Sequence, residues 1–329
     1  MGLDYFQLFL MIAGFSLAMY SCVSNDVPQA LGTFLSSNMK RSRLTIWAFA
    51  VSVLVITMSW GYFGGGGDMA FGRLERIPMV ARLYWWHLIP PMVLLLLSWR
   101  GIPVSTTFML LSVFSSSAVI GSMVMKSVAG YVIALFTAMF AYTVVSGGIE
   151  RRWIATSGNG TPRKWVVMQW ASTAFLWSQW IMQDAANILV YLPREASMLQ
   201  FVLVVAAMSA FMWLVVANRG GRIQQIVMRK TNVMDMRSAT IIDAIYGFIL
   251  FFFLKWSNIP MSTTWIFLGL LAGREMALYY RLNLLPKSRM WRDIGRDLMK
   301  VLAGVLVSVA VVYGVLYIPR FEKLVLSLF

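Results

Sequence analysis

The sequence predicts an all-α polytopic membrane protein made of two inverted repeats, each with a re-entrant helical hairpin that meets its partner near the bilayer midplane. The 329-residue chain is 59% hydrophobic and only 12% charged, whereas a soluble domain carries about a quarter charged residues. Several apolar stretches reach the roughly 20 residues that a helix needs to cross the bilayer core. Two short polar strings also occur twice, at nearly equal spacing.

The repeated strings combine an acid, two amides and three hydroxyls. The first copy has Asn25, Asp26 and Gln29, followed by Ser105, Thr106 and Thr107; the second has Gln183, Asp184 and Asn187, followed by Ser262, Thr263 and Thr264. From acid to serine the separation is 79 residues in the first copy and 78 in the second. We interpret this as an internal duplication, and polar groups of this kind inside apolar stretches usually serve function.

The predicted elements follow from this duplication. We expect a first repeat over 1–146, a basic cytoplasmic linker over 147–164 and a second repeat over 165–329, together forming one unit. The spans predicted for the first repeat are 3–36, 44–63, 84–100, 107–125 and 128–146. Those predicted for the second repeat are 165–193, 198–217, 238–256, 264–280 and 298–318.

In each repeat the third and fourth spans flank the hydroxyl string without a polar loop between them, which predicts a hairpin that turns inside the membrane. Each repeat then crosses the membrane three times, so the repeats are inverted. Most of the 28 Lys and Arg residues fall on one face, around 38–43, 147–164, 218–240 and 274–300. The positive-inside rule makes that face cytoplasmic and puts both termini outside.

The hydroxyl strings follow Pro103 and Pro260, which end the preceding arm, and they suit the first residues of a new helix. A helix that starts at the midplane directs its free N–H groups and its positive dipole end at one point, where an anion binds. We therefore expect a substrate-binding site formed by Ser105, Thr106, Thr107, Ser262, Thr263, Thr264, Gln29 and Asn187. The alternative is that these hydroxyls are ordinary helix caps.

The two acids lie in apolar helices, where a carboxylate requires a cation, a proton or a basic partner. Oxygen ligands from carboxylates and amides suit hard cations. We expect a site for a coupling cation, Na+ or H+, at Asn25, Asp26, Gln183 and Asp184. A structural hydrogen-bonded pair between helices is the alternative.

The remaining basic residues, the histidine and the cysteine bear on two questions: what else contacts the anion, and whether the protein is an enzyme. Arg100 and Lys255 either line an anion path or extend toward the membrane interface. The sequence has one histidine, His87, and one cysteine, which excludes most zinc sites. It also shows no Cys-His spacing typical of a catalytic site. We therefore expect no enzyme, no catalytic residues and no tightly bound cofactor. The net charge of +15 is read as a topology signal rather than as a nucleic-acid surface, so no nucleic-acid partner is expected.

These motifs resemble the signature of the inorganic phosphate transporter (PiT) family, which includes related sulfate permeases. The resemblance rests on Asn25-Asp26-Val27 with Gly32-Thr33, on 101–107, and on 221–223 ahead of 260–264. It implies that the acids and amides bind coupling cations and contribute to the substrate site, that the Ser-Thr-Thr turns hold the anion, and that the protein forms a homodimer. The chain departs from the family pattern in having Gln29 and Gln183 where the family has Asn, and Phe108 and Trp265 where it has His.

The resulting expectation is a secondary active symporter in the plasma (inner) membrane, which moves inorganic phosphate or a similar tetrahedral oxyanion with Na+ or H+. Its partners are the anion and the lipid bilayer. Two alternatives stay open: a sulfate permease, and a transport-dead membrane partner or sensor with the same fold.

Overall fold

The computed structural model describes residues 4–145, 162–221, 223–224, 236–282 and 287–326, and these fold almost entirely into α-helices. The helices are α1 Tyr5–Ser37, α2 Arg43–Gly64, α3 Ile89–Trp99, α4 Thr106–Leu111, α5 Ser117–Val145, α6 Arg163–Leu189, α7 Met198–Ala217, α8 Met236–Trp256, α9 Thr263–Leu282 and α10 Lys287–Leu326. A 3₁₀ turn precedes α3 at Trp85–Leu88, and another follows α4 at Ser112–Phe114. By length and composition, α1, α2, α5, α7 and α8 are able to cross a membrane. The prediction of an all-α polytopic membrane protein is confirmed.

The helices that carry the matched acid motifs, α1 and α6, pack antiparallel. The Asn38 side chain, at the end of α1, donates to Gln169 Oε1 in the first turns of α6 at 2.9 Å. Near the start of α1, Gly14 allows the ring of Tyr191, just past the end of α6, to approach so closely that an added Cβ would lie 2.3 Å from it. We call the end of the bundle where α1 ends and α6 begins the basic end, since Lys40, Arg41, Arg43, Arg163 and Lys164 lie there.

The second pair of matched helices, α2 and α7, is also antiparallel. Trp47 Nε1, early in α2, donates to the carbonyl of Ser209 at 2.9 Å. Tyr62, late in α2, stacks on Phe201, early in α7, with ring centroids 4.4 Å apart. Antiparallel packing of matched helices is what an inverted repeat requires; the relation of the two complete repeats stays a prediction.

The first hairpin consists of α3 and α4. Gly101 adopts a positive φ of 73° directly after α3, a conformation that glycine adopts without strain, and the chain then turns back into the bundle. The second arm starts at the buried Ser105. It ends beside the start of α3, where Phe114 stacks on His87 at 5.3 Å. The arm therefore returns to the end of the bundle from which α3 came.

The second hairpin consists of α8 and α9. Its tip lies at the end opposite the basic end, where Asn258 Nδ2 donates to Glu75 Oε2 at 3.4 Å. From the buried Ser262, α9 then runs parallel to α5. The contact is close because Gly273 has no side chain: a Cβ there would lie 2.1 Å from the carbonyl oxygen of Leu135.

Two predicted boundaries are wrong. The spans 107–125 and 128–146 are divided differently: α4 is only six residues long, and one continuous helix, α5, begins at Ser117. The break falls at the serine run, where Ser115 Oγ donates to Leu111 O at 2.7 Å and Ser116 Oγ accepts from Val119 N at 3.4 Å. These local bonds compete with a continuous helix and stop one helix and start the next.

The last helix and the linker also differ from the prediction. α10 is much longer than the predicted 298–318. Of the predicted linker 147–164, the part up to residue 161 lies outside the described residues, while Arg163 already begins α6.

Candidate substrate and cation site

The two Ser-Thr-Thr turns contact each other through a reciprocal pair of hydrogen bonds. Thr107 Oγ1 donates to the carbonyl of Met261 at 3.0 Å, and Thr264 Oγ1 donates to the carbonyl of Val104 at 3.3 Å. In both bonds the third hydroxyl residue of one string binds the residue that precedes the serine of the other string. The two turns therefore meet with an approximate twofold exchange of contacts.

The acid of the second copy lies against both turns. Asp184 Oδ2 accepts from Thr263 Oγ1 at 2.5 Å. Asp184 Oδ1 accepts from Thr107 Oγ1 at 3.4 Å and from Asn187 Nδ2 at 3.1 Å. Asn187 Nδ2 also contacts Thr106 Oγ1 at 3.2 Å. The carboxylate of α6 thus ties the starts of α4 and α9 together.

The acid of the first copy interacts with the side chains of Asn25 and Thr106. Asn25 Nδ2 donates to Asp26 Oδ1 and to the carbonyl of Val104, both at 2.7 Å. Gln29 Nε2 donates to the backbone carbonyl of Asn25 at 2.9 Å. The second carboxylate oxygen, Asp26 Oδ2, is buried and has no hydrogen-bond partner among the described residues.

Several side-chain atoms of this cluster are buried without a hydrogen-bond partner in the described part of the chain. They are Asp26 Oδ2, Gln29 Oε1, Gln183 Oε1, Gln183 Nε2 and Asn187 Oδ1. Buried polar atoms are almost always paired in native proteins, since an unpaired one costs about 1–3 kcal/mol. Their presence on the residues around the two turns makes this region the candidate site for a polar ligand, and four of the five atoms are oxygen acceptors.

The two acids at the junction have no direct ion pair with a described residue, and Arg73 attracts Asp184 only at longer range. Asp26 and Asp184 are fully buried and interact electrostatically with each other. The described residues also contain no group of three His, Cys, Asp or Glu side chains arranged to hold a metal ion, so any cation here depends on amide and hydroxyl oxygens as well as carboxylates.

Ser105 and Ser262 act as caps and also keep one hydroxyl proton available. Ser105 Oγ accepts from Phe108 N at 3.2 Å, and Ser262 Oγ accepts from Trp265 N at 3.4 Å. Neither hydroxyl donates to an acceptor among the described residues. The predicted positive helix ends are unequal, however, because α4 has six residues and α9 has twenty. The dipole contribution therefore comes from α9, and the first turn contributes its hydroxyls.

A third buried acid, Asp243 on α8, escaped the sequence analysis. Its carboxylate accepts from Thr33 Oγ1 on α1 and from Thr173 Oγ1 on α6. It forms no ion pair with a described residue. The sequence does contain a sign of this site, since Asp243 is an acid within the apolar span predicted over 238–256. The first repeat has no matching acid, so a search based on the repeat does not find Asp243.

Two buried cations hold the tip of the second hairpin and were also missed. Arg73, from the segment between α2 and α3, donates to the carbonyls of Leu254, at 3.1 Å, and Ser257. Lys126 Nζ, from α5, donates to the carbonyls of Ser257 and Ile259 at 2.8 and 2.7 Å. Burial lowers the pKa of Arg73 to about 10, so it stays cationic at neutral pH. The erroneous break between 125 and 128 placed Lys126 in a loop and hid this role.

The remaining sequence candidates lie away from the junction. His87 Nδ1 accepts from Tyr84 N at 3.0 Å within its own 3₁₀ turn, and its carbonyl accepts from Tyr191 Oη at 2.8 Å. Lys255 is exposed, with its ammonium 5.7 Å from the ring centre of Phe251. Arg100 lies at the edge of a cavity near the basic end.

Helices that begin inside the bundle, beside buried acids, are typical of membrane proteins whose central site lies between discontinuous helices. A solved structure described as "The sodium-dependent phosphate transporter" has the same fold, with a TM-score of 0.55 over 94% of this chain and 98% of that chain. The sequences are 16% identical. No family model matches the chain, and no curated protein sequence matches it.

Proposed function

We propose that this protein is a secondary active symporter that moves inorganic phosphate, or a similar tetrahedral oxyanion, together with Na+ or H+. The observation that carries the proposal is the set of unpaired polar atoms at the junction of the two Ser-Thr-Thr turns. Acceptors and donors are both left free there, which is what a cation and an anion bound side by side require.

The acceptors support the cation. Asp26 Oδ2, Gln29 Oε1 and Asn187 Oδ1 are oxygen atoms without hydrogen-bond partners, and oxygen ligands are preferred by hard cations. Two buried carboxylates without an ion-pair partner also need positive charge for stability. A bound Na+ or a proton supplies it.

The donors support the anion. The hydroxyls of Ser105 and Ser262 lie at the two turns and donate to no described residue. The amide nitrogen of Gln183, the neighbour of Asp184 on α6, is buried without a described partner, and α9 adds backbone N–H groups at its first turn. A tetrahedral oxyanion accepts several hydrogen bonds from different directions. Its negative charge beside Asp26 and Asp184 is tolerated only when a cation accompanies it, which couples the two ligands.

The solved structure with the same fold is named as a sodium-dependent phosphate transporter, and this makes phosphate and Na+ the first ligands to test. Gln29 and Gln183 depart from the family motif, so sulfate and H+ are tested beside them. We further propose that the protein works in the plasma (inner) membrane as a homodimer, with the basic end in the cytoplasm and both termini outside.

Uptake of labelled phosphate and sulfate into proteoliposomes, with Na+ and proton gradients imposed separately, tests the proposal. We expect accumulation of one anion that depends on one of the two gradients. Failure to accumulate either anion under any gradient would contradict transport. Anion-dependent thermal stabilisation without uptake would then favour the sensor function instead.

A further inference from the structure

A cavity of about 640 Å³ lies between α1, the end of α3 and the end of α7. Its polar lining includes Tyr20 and Ser24 from α1, Ser98 and Arg100 from the first hairpin, and Asn218 from the residue after α7. Since α7 runs antiparallel to α2, which begins at the basic end, Asn218 places this cavity at the basic end.

The cavity reaches close to the candidate site. Ser24, which lines it, is followed directly by Asn25, whose side chain binds the carbonyl of Val104. On the other wall, the backbone from Arg100 to Ser105 forms the turn of the first hairpin. The cavity therefore lies against the same helix and the same hairpin turn that carry Asn25, Val104 and Ser105 of the candidate site.

The described lining of the cavity carries positive charge only. Arg100 is the one cation among the described lining residues, and no Asp or Glu is among them. Arg100 is exposed, and its guanidinium forms no hydrogen bond or ion pair with the residues that the structure describes. By contrast, the cavity of about 880 Å³ at the opposite end is lined by Asp68, Glu75 and Glu195 as well as Arg194.

The basic residue of the second hairpin, Lys255, shows that a cation near a hairpin turn does not always line this cavity. Lys255 lies seven residues before Ser262, near the end of the first arm of the second hairpin, and Arg100 lies five residues before Ser105. The Lys255 ammonium, however, lies over the ring of Phe251. It does not line the cavity at the basic end. One hairpin cation thus lies over an aromatic ring, while the guanidinium of the other lines the cavity without a hydrogen-bond or ion-pair partner among the described residues.

We propose that Arg100 forms a second anion subsite in this cavity, where the transported oxyanion binds between the central junction and the basic end. A guanidinium binds two oxygens of a phosphate or sulfate through its planar fork of N–H donors, and Ser24, Ser98 and Asn218 supply neutral polar partners. This inference rests on the proposed function and adds a specificity-determining residue to it.

The test measures labelled phosphate transport in proteoliposomes sorted for a single orientation, with the KM determined separately for each face. Arg100→Gln should raise the KM at the basic end about tenfold, the loss expected for one hydrogen bond to a charged group, and leave the KM at the opposite end within about twofold. Arg100→Lys should recover part of the affinity because it keeps the charge. Lys255→Gln, the matched control, should behave as wild type at both faces.

Two results would overturn the subsite. Unchanged KM values for Arg100→Gln in a protein that transports phosphate would contradict this inference alone and leave the proposed function standing. An equal rise at both faces would assign Arg100 to the structure of the hairpin rather than to a sided subsite. If the wild-type protein transports neither phosphate nor sulfate, the proposed function itself fails.

Discussion

Three buried carboxylates, Asp26, Asp184 and Asp243, are held by amides and hydroxyls rather than by cations in the described part of the chain. A buried charge with neutral partners is costly unless a ligand completes it. Asp243 has donors on both oxygens, whereas Asp26 keeps one oxygen free. At the residue scale, this difference separates a carboxylate that joins three helices from one that keeps an acceptor atom available, as the proposed cation site requires.

Asp26→Asn and Asp184→Asn should each abolish cation-driven anion accumulation, because the amide keeps the shape and removes the charge that the cation requires. Uptake in proteoliposomes measures this, with size-exclusion profiles to show that each variant folds. Asp4→Asn is the matched control, since Asp4 is exposed and caps α1, a role that Asn performs equally well. Normal accumulation in both site variants would make these acids purely structural.

Ser105 and Ser262 should act on one anion. Each Ser→Ala change should weaken anion binding about ten- to a hundredfold, because it removes one hydrogen bond to a charged ligand. Residues that share a ligand are energetically coupled, so the double variant should deviate from the sum of the single losses in a calorimetric titration with phosphate.

The serines also cap their helices, so Ser105→Gly and Ser262→Gly serve as controls. Glycine lacks the hydroxyl but costs a helix start only a few tenths of a kcal/mol. If the glycine variants bind phosphate like wild type, or if the losses are strictly additive, the two turns do not share an anion.

At the residue scale, the sequence was enough to find the repeated acids, amides and hydroxyls, because a duplication repeats its chemistry at a fixed spacing. It was not enough to find Asp243, Arg73 or Lys126, which have no repeated partner. Their roles depend on which helices pack together. Asp243 links three helices only because Thr33 and Thr173 donate hydrogen bonds to it. Side-chain pairs between distant segments are set by packing, which periodicity does not encode.

At the scale of the elements, the close parallel packing of α5 on α9 positions the start of α9. Gly269 and Gly273 allow the contact, since an added Cβ would lie 2.4 Å from the carbonyl oxygen of Tyr131 and 2.1 Å from that of Leu135. Ser127 of α5 accepts a hydrogen bond from Ser262 N at 2.8 Å. A shift between these two helices would therefore move the second Ser-Thr-Thr turn.

Gly273→Ala should destabilise the protein by about 1–3 kcal/mol, the usual cost of overpacking, and should lower the thermal unfolding midpoint in detergent. Gly121→Ala is the matched control on α5, because no atom lies within 4 Å of the added Cβ. It should leave the midpoint unchanged or raise it, since alanine favours a helix over glycine. Equal midpoints for the two variants would contradict the close packing.

The predicted helix boundaries agree with the structure where a long apolar stretch ends at charged or turn-forming residues, as in α2 and α7. They failed around 107–125, where the whole segment is apolar and the break depends on the local bonds of Ser115 and Ser116. Hydropathy does not distinguish a six-residue arm followed by a new helix from one continuous span.

At the scale of the whole molecule, the matched helices pack antiparallel and the two turns exchange hydrogen bonds at Val104 and Met261. The cavities at the two ends differ in charge, with Arg100 at the basic end and three acids at the other. Under the proposed transport function, the central site would open to one end of the bundle and then to the other, as alternating access requires.

The central claim is that one site holds the anion and its cation together, and linked binding tests it most directly. Calorimetric titration of the purified protein with phosphate, and in parallel with sulfate, should be repeated at several Na+ concentrations and at several pH values. The account predicts that anion affinity rises with Na+ or with proton concentration, that the anion raises cation affinity by the same factor, and that Asp184→Asn removes this dependence. An anion affinity that is the same at every Na+ concentration and pH would contradict the account.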